Sequence, residues 1–243
     1  MGKDSSIEWT THTQNFWVGC RKVSSGCLNC YMFREQERYG NDPTLIRRTS
    51  DKTFYAPLAW KEPAYVFTCS WSDFFLEDAD GWRDDAWNII KQTPHLTYQI
   101  LTKRPHNIEG RLPKDWGSGY PNVWLGVSVE DPKNLWRIEE LYKYPAALYF
   151  VSHEPLLKPH FLERYAPLGW AIIGGESGSD ARPMNLDGVL EMIEEFHAYG
   201  IPVFVKQLGT AWAKEHPWAK DWKGADISEW PEALIIREMP SRP

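Results

Sequence analysis

The sequence predicts an α/β protein, a complete or partial (β/α) barrel of mostly parallel strands. Three observations point there. Six short, nearly continuously apolar runs recur along the chain, helix-like stretches lie between them, and three of the runs end in a small residue followed two positions later by glutamate. Strands buried on both faces read as unbroken apolar runs, and strands alternating with helices imply βα units and a parallel sheet. A doubly wound open sheet is the alternative.

The strand runs are AYVFTCS (64–70), TYQILTK (97–103), VWLGVSV (123–129), ALYFVSH (147–153), GWAIIGG (169–175) and IPVFVKQ (201–207). A first strand is expected near NFWVG (15–19). Helices are expected over 30–40, 84–92, 135–144 and 186–200. The last has apolar residues at 186, 189, 190, 193 and 196 and closes on Gly200, a residue suited to the position after a helix end. No low-complexity stretch or linker interrupts the pattern, so residues 1–243 read as one domain. Residues 211–243, rich in Trp and Pro, break the alternation and read as an irregular C-terminal extension, a flap or short hairpin packed on the barrel.

Hydrophobic residues make up 42% of the 243, charged residues 25%, and there are 14 Trp, which is the composition of a protein with a real core. The net charge of −6 argues against electrostatic coating of nucleic acid, although a local basic groove stays open. No apolar run reaches the roughly 18–20 residues of a membrane span. The opening MGKDSSIEWT lacks the apolar stretch of a signal peptide. The expected location is therefore cytoplasmic, without membrane attachment. There, clustered cysteines suit a metal better than a disulfide framework.

Side chains two apart on a strand point the same way. Ser128 with Glu130, Ser152 with Glu154, and Gly174 with Glu176 would each aim a small residue and a carboxylate at one mouth, at the strand ends where such folds place their sites. FTCSWSD puts Ser70 and Ser72 on one face and Cys69, Trp71 and Asp73 on the other. QILTKRP supplies Thr102, Lys103 and Arg104, and the last strand supplies Lys206 and Gln207. Gly174 and Gly175 permit close backbone approach to a ligand. Singly, each of these residues reads as an ordinary loop or helix-cap residue. Together they read as the lining of one pocket.

Three of the four cysteines fall in GCRKVSSGCLNCYMF, spaced C-x6-C-x2-C as Cys20, Cys27 and Cys30. A structural zinc site needs four ligands, and His12 or Cys69 would have to complete it. A [4Fe–4S] cluster held by three cysteines leaves one iron open. That is the arrangement of radical S-adenosylmethionine (SAM) enzymes, whose open iron chelates SAM. Their commonest motif is C-x3-C-x2-C followed by an aromatic residue. Here Tyr31 follows the last cysteine, and the first gap is longer.

The chain resembles the phage-associated three-cysteine-motif proteins, named after phage gene products thirty-seven and sixty-eight and found in phages and bacteria. The matching stretches are IEWT, GCRKVSSGCLNCY, SWSDFF, LTKRP, NVWLGVSVED, FVSHEPLL, IIGGESGSDARPM, FVKQLG and KGADISEWPE, in order from residue 7 to about 232. SHEP stands where that family more often has Leu before the glutamate, which leaves His153 without a family role. The resemblance implies a radical-SAM-like barrel. In that reading Cys20, Cys27 and Cys30 hold the cluster, while Tyr31, Ser70, Ser72, Asp73, Ser128, Glu130, Glu154, Gly174 and Gly175 hold SAM. Arg104, Glu176 and Lys206, with Lys103 and Arg182, face the substrate. A nucleobase, nucleotide or nucleic acid substrate suits a phage setting, and an electron donor such as flavodoxin or ferredoxin is implied. Two other readings remain open: a zinc-stabilised binding protein without redox chemistry, and a barrel hydrolase using Glu130, Glu154 and Glu176.

Overall fold

The computed structural model describes residues 2–241. The strands are β1 (His12–Gln14), β2 (Trp17–Val18), β3 (Arg47–Arg48), β4 (Ala64–Thr68), β5 (Leu96–Thr102), β6 (Val123–Ser128), β7 (Leu148–His153), β8 (Leu168–Gly174) and β9 (Val203–Gln207). The helices are α1 (Tyr31–Arg38), α2 (Asp51–Phe54), α3 (Asp80–Gln92), α4 (Trp136–Leu141), α5 (Leu186–Ala198) and α6 (Thr210–Glu215). Strands β2 and β3 form a small antiparallel ribbon. The other seven form one sheet in the order β1-β4-β5-β6-β7-β8-β9. Every neighbouring pair in it is parallel. Helices α3, α4 and α5 make the crossovers from β4 to β5, β6 to β7 and β8 to β9. Among the described residues, no helix is long and apolar enough to cross a membrane.

Because strand order never reverses, the sheet winds in one direction and curls into a half-barrel. Trp9 registers the curl. Its ring lies 4.6 Å from Phe67 on β4 and 6.0 Å from Trp170 on β8. On a flat sheet those two strands would stand about 19 Å apart, too far for one indole to reach both.

Period-two alternation divides the core between the two faces. Val66, Leu125, Val151, Ile173 and Val205 pack under the helices. Their chain neighbours Phe67, Trp124, Phe150, Ile172 and Phe204 turn into the curl, with Trp9 and Trp170. Gly126 makes room there, since a Cβ on it would sit 2.5 Å from the Phe150 ring. The inner face thus has an aromatic floor. Further along the same strands it becomes polar, with Ser128 directly opposite Ser152.

Three expectations are corrected. The first parallel strand is at 12–14 rather than 15–19, because Phe16 and Trp17 are fully buried in the helix-side core and Trp17–Val18 pairs with the ribbon. The alternation drawn through 69–73 stops at Thr68. Cys69 takes a left-handed backbone (φ 63°), and the chain turns there. The tail forms α6, two short 3-10 turns (Ile227–Glu229 and Glu232–Leu234) and one antiparallel bridge from Arg237 to Phe204 in place of a hairpin. Trp212 and Trp230 anchor it in the core.

Candidate active site

A cavity of about 650 Å³ opens at the carboxyl ends of the parallel strands. Cys20, Cys27, Cys30 and Tyr31 line it from the cysteine loop. Ser70, Ser72 and Asp73 line it after β4, Arg104 after β5, and Ser128 at the end of β6. Glu154, Gly175, Glu176 and Lys206 close the other side. Of the residues expected from the sequence, Glu130, Gly174 and Arg182 do not reach the lining.

The cysteine loop is tied to the ends of four strands. After β4, Ser72 Oγ donates to the Gly19 carbonyl at 2.6 Å, and Tyr31 Oη donates to the Ser70 carbonyl at 2.5 Å. After β5, Arg104 donates to the Arg21 carbonyl at 2.6 Å. After β6, Glu130 accepts from Ser24 Oγ at 3.1 Å and Asp131 from Ser25 Oγ at 2.9 Å. After β8, Glu176 accepts from Asn29 Nδ2 at 3.1 Å. Gly26 lies directly on the Glu130 side chain, and a Cβ there would come within 2.4 Å of it. Ser24, Gly26 and Asn29 therefore seat the loop. Sequence periodicity marks none of them, and the only signal is that they lie between the cysteines.

Glu130 is a buried hub. Lys103 Nζ lies 2.6 Å from one carboxylate oxygen, and Arg137 and Asn134 each lie 2.9 Å from the other. Burial raises its pKa, but Lys103 and Arg137 outweigh that and hold the carboxyl below its ordinary range. Asp73 is similarly engaged, with Thr102 Oγ1 at 2.7 Å, the Lys103 N–H at 2.9 Å and Arg104 at 3.2 Å. Glu154 and Lys206 are different. They pair with each other inside the cavity, and both side chains stay partly accessible. Glu176 accepts from Arg182 at 2.8 Å as well as from Asn29. Burial opposes its ionisation, and the hydrogen bonds from Arg182 reverse the effect, lowering its pKa.

Burial pushes the Cys20 thiol up to about 12, and only the Arg104 guanidinium, 3.8 Å from its sulfur, works strongly against this. Burial also raises Cys30, opposed by the backbone amides of Met32 and Phe33 at the start of α1 and by Lys103. Cys20 and Cys30 thus sit next to fixed positive charge, where a bound cation would favour the thiolate form. Each of Cys20 and Cys30 also feels Cys27 electrostatically. Cys69 belongs to the helix-side core, its thiol facing the amides of Phe16 and Trp17. The His12 ring packs 4.8 Å from Trp60, and its Nδ1 is 2.8 Å from the Thr11 carbonyl. Among the described residues, no three His, Cys, Asp or Glu side chains converge tightly enough to hold a single metal ion.

Fold and site together define a parallel half-barrel with a three-cysteine loop docked over a cavity at its strand ends. The chain belongs to the family described as "Protein of unknown function (DUF5131)", whose model matches residues 4–233. No curated protein and no solved structure matches it.

Proposed function

We propose that this protein is an iron–sulfur enzyme of the radical-SAM type. One observation carries the reading: three cysteines from a single loop line one cavity at the mouth of a curled parallel sheet, while Cys69, which borders the same cavity, turns its thiol to the Phe16 and Trp17 amides, and His12 packs on Trp60. A single zinc draws its thiolates to about 2.3 Å from one point. A four-iron cluster offers each thiolate its own iron and leaves one iron open when three cysteines hold it, which matches the three cysteines that line this cavity. Cys20, Cys27 and Cys30 would hold that cluster. When bound, it supplies the electron that cleaves SAM to methionine and a 5′-deoxyadenosyl radical.

The chain's own residues do the rest. Arg104 and Lys103 place positive charge beside the thiolates and offset their repulsion. Glu154 offers a partly accessible carboxylate to the ammonium or sulfonium of SAM, in place of its ion pair with Lys206. Ser70, Ser72, Ser128 and Ser152 offer hydroxyls to the ribose. The aromatic floor excludes water from below. Glu130 supports the loop from underneath and touches neither SAM nor substrate. Electrons would come from a flavodoxin or ferredoxin.

The test is metal and sulfide analysis after anaerobic purification. About four iron and four sulfide per chain are expected, lost in Cys20→Ala, Cys27→Ala and Cys30→Ala and kept in Cys69→Ala. One zinc without sulfide would replace this reading with that of a zinc-stabilised protein.

A further inference from the structure

The segment after α6 brings a second aromatic element to the same cavity. Trp222 and Lys223 line its rim. The turn that carries them is tightly held. Leu208 N–H donates to the Gly224 carbonyl at 2.8 Å, and Gly209 N–H donates to the Lys223 carbonyl at 3.0 Å, so the turn is fastened to the chain just after β9. Asp221 Oδ1 accepts from the Lys223 and Ala225 N–H groups at 2.8 and 3.0 Å. Trp230 Nε1 donates to the Gly224 carbonyl at 3.0 Å.

On this fixed turn the indole is left out of the core. Trp212 and Trp230, from the same part of the chain, are each 6% exposed, whereas Trp222 is 57% exposed. Trp218 is also exposed, but its ring rests 4.7 Å from His216 and it does not line the cavity. A large exposed apolar ring at a cavity mouth, carried on a turn fastened to the chain after β9, is a surface for a ligand to cover.

Lys223 adds charge to it. Its Nζ stands 5.3 Å from the Trp222 ring centre. Three cations deeper in the cavity have carboxylate partners, Lys103 with Glu130, Arg104 with Asp73 and Lys206 with Glu154, and Arg34 on its lining donates to the Asn29 and Ser177 carbonyls. Among the described residues, no carboxylate pairs with Lys223. A planar π-surface, with an ammonium that stands over it and has no ion-pair carboxylate among the described residues, matches a planar ring that bears an anion.

We infer that Trp222 and Lys223 form the substrate platform of this site, and that the substrate is a nucleotide whose base stacks on Trp222 while its phosphate meets Lys223. The inference rests on the cavity being an enzyme's active site. The net charge of −6 favours a single nucleotide over a long polyanion.

Isothermal calorimetry on the full chain tests this, with guanosine monophosphate as the probe, in the presence and absence of SAM so that the adenine subsite is accounted for. Guanosine and inorganic phosphate are the fragment controls. Saturable binding of the nucleotide is expected, tighter than that of either fragment. Trp222→Ala should weaken it about tenfold or more, the scale of one lost base–aromatic stack, and Trp222→Phe should retain most of it. Lys223→Ala should abolish the preference for nucleotide over nucleoside. Trp218→Ala should change nothing. The inference is overturned if the nucleotide does not bind, if Trp222→Ala binds it like the wild type, or if only a single-stranded oligonucleotide binds. Iron and sulfide measured on the same preparation report separately on the iron–sulfur reading.

Discussion

Ser24 Oγ donates to Glu130 Oε1 at 3.1 Å, joining the middle of the cysteine loop to a carboxylate with no exposure to solvent. The same carboxylate neutralises Arg137, whose side chain is 2% exposed. Removing one partner of a buried pair leaves an uncompensated charge and costs about 3–5 kcal/mol. Glu130→Ala should therefore lower stability on that scale and, by freeing Ser24, reduce iron retention. Glu130→Gln keeps the shape and an acceptor for Ser24, so it should lose stability but retain more iron. Thermal unfolding and iron content, read side by side, check both. Equal iron loss in the two variants would show that charge, not loop seating, is what matters.

Gly26 is the tightest point of that docking. A Cβ would come 2.4–2.6 Å from three atoms of the Glu130 side chain. Glu130 has no freedom to retreat, because Lys103, Arg137 and Asn134 hold it. Gly26→Ala should destabilise the protein by about 1–3 kcal/mol, the usual cost of overpacking, and loosen the loop. Faster reaction of Cys27 with a thiol reagent would report the loosening. An unchanged labelling rate would mean that the loop is held by its other ties alone.

Two buried histidines predict a pH dependence. His153 Nδ1 lies 2.9 Å from the Val129 carbonyl and His160 Nδ1 lies 2.8 Å from the Lys158 carbonyl, while neither Nε2 has a hydrogen-bond partner among the described residues. Their rings are 4.8 Å apart. Burial, and for His153 also the neighbouring His160, lowers both from the ordinary 6.5. Below 6.5 the unfolded chain takes up protons that the folded chain does not, so stability falls as pH falls through that value. The slope is about 1.4 kcal/mol per pH unit for each histidine until its folded-state pKa is reached. Unfolding curves at about pH 7.5 and about pH 5.5 should differ accordingly, and His153→Leu should remove roughly half of the difference. A variant with the wild-type slope would sink this assignment.

Strands β4 to β9 were legible because each is an apolar run bounded by polar residues, and the structure places all six within a few residues of the expected positions. Strand β1 was not legible. His12, Thr13 and Gln14 are buried polar residues, and Gln14 is accommodated by hydrogen bonds to the Thr53 and Phe54 carbonyls, so no hydrophobic signal marks the strand. The strand-end pattern was half legible. Ser128 and Ser152 face one another on adjacent strands as alternation requires. The chain leaves β6 after Ser128, however, and parity no longer governs Glu130, which turns beneath the cysteine loop. Trp222 lay outside the alternation altogether. Its position depends on the turn fastened to Leu208 and Gly209, a contact that no periodicity encodes.

Two of the three glutamates in the small-x-Glu pattern, Glu130 and Glu154, should therefore separate in experiment. Glu154 lines the cavity with its side chain 22% exposed, and among the described residues its only ion-pair partner is Lys206, itself 16% exposed. Glu130 has no exposure and four polar neighbours. Neutralising Glu154 leaves the cysteine loop untouched, because none of the loop's ties runs through it. Glu154→Gln should keep the iron and sulfide content of the wild type and weaken SAM binding about tenfold, the scale of one charge-assisted contact. Lys206→Met should also keep the cluster. It leaves the Glu154 carboxylate without its counter-charge, so SAM affinity in that variant should rise or hold rather than fall if the carboxylate meets the cation of SAM directly. Titrating SAM against the electron paramagnetic resonance spectrum of the reduced cluster reads both variants. If Glu154→Gln binds SAM like the wild type, or if it loses iron as Glu130→Ala does, Glu154 is part of the scaffold and not of the site.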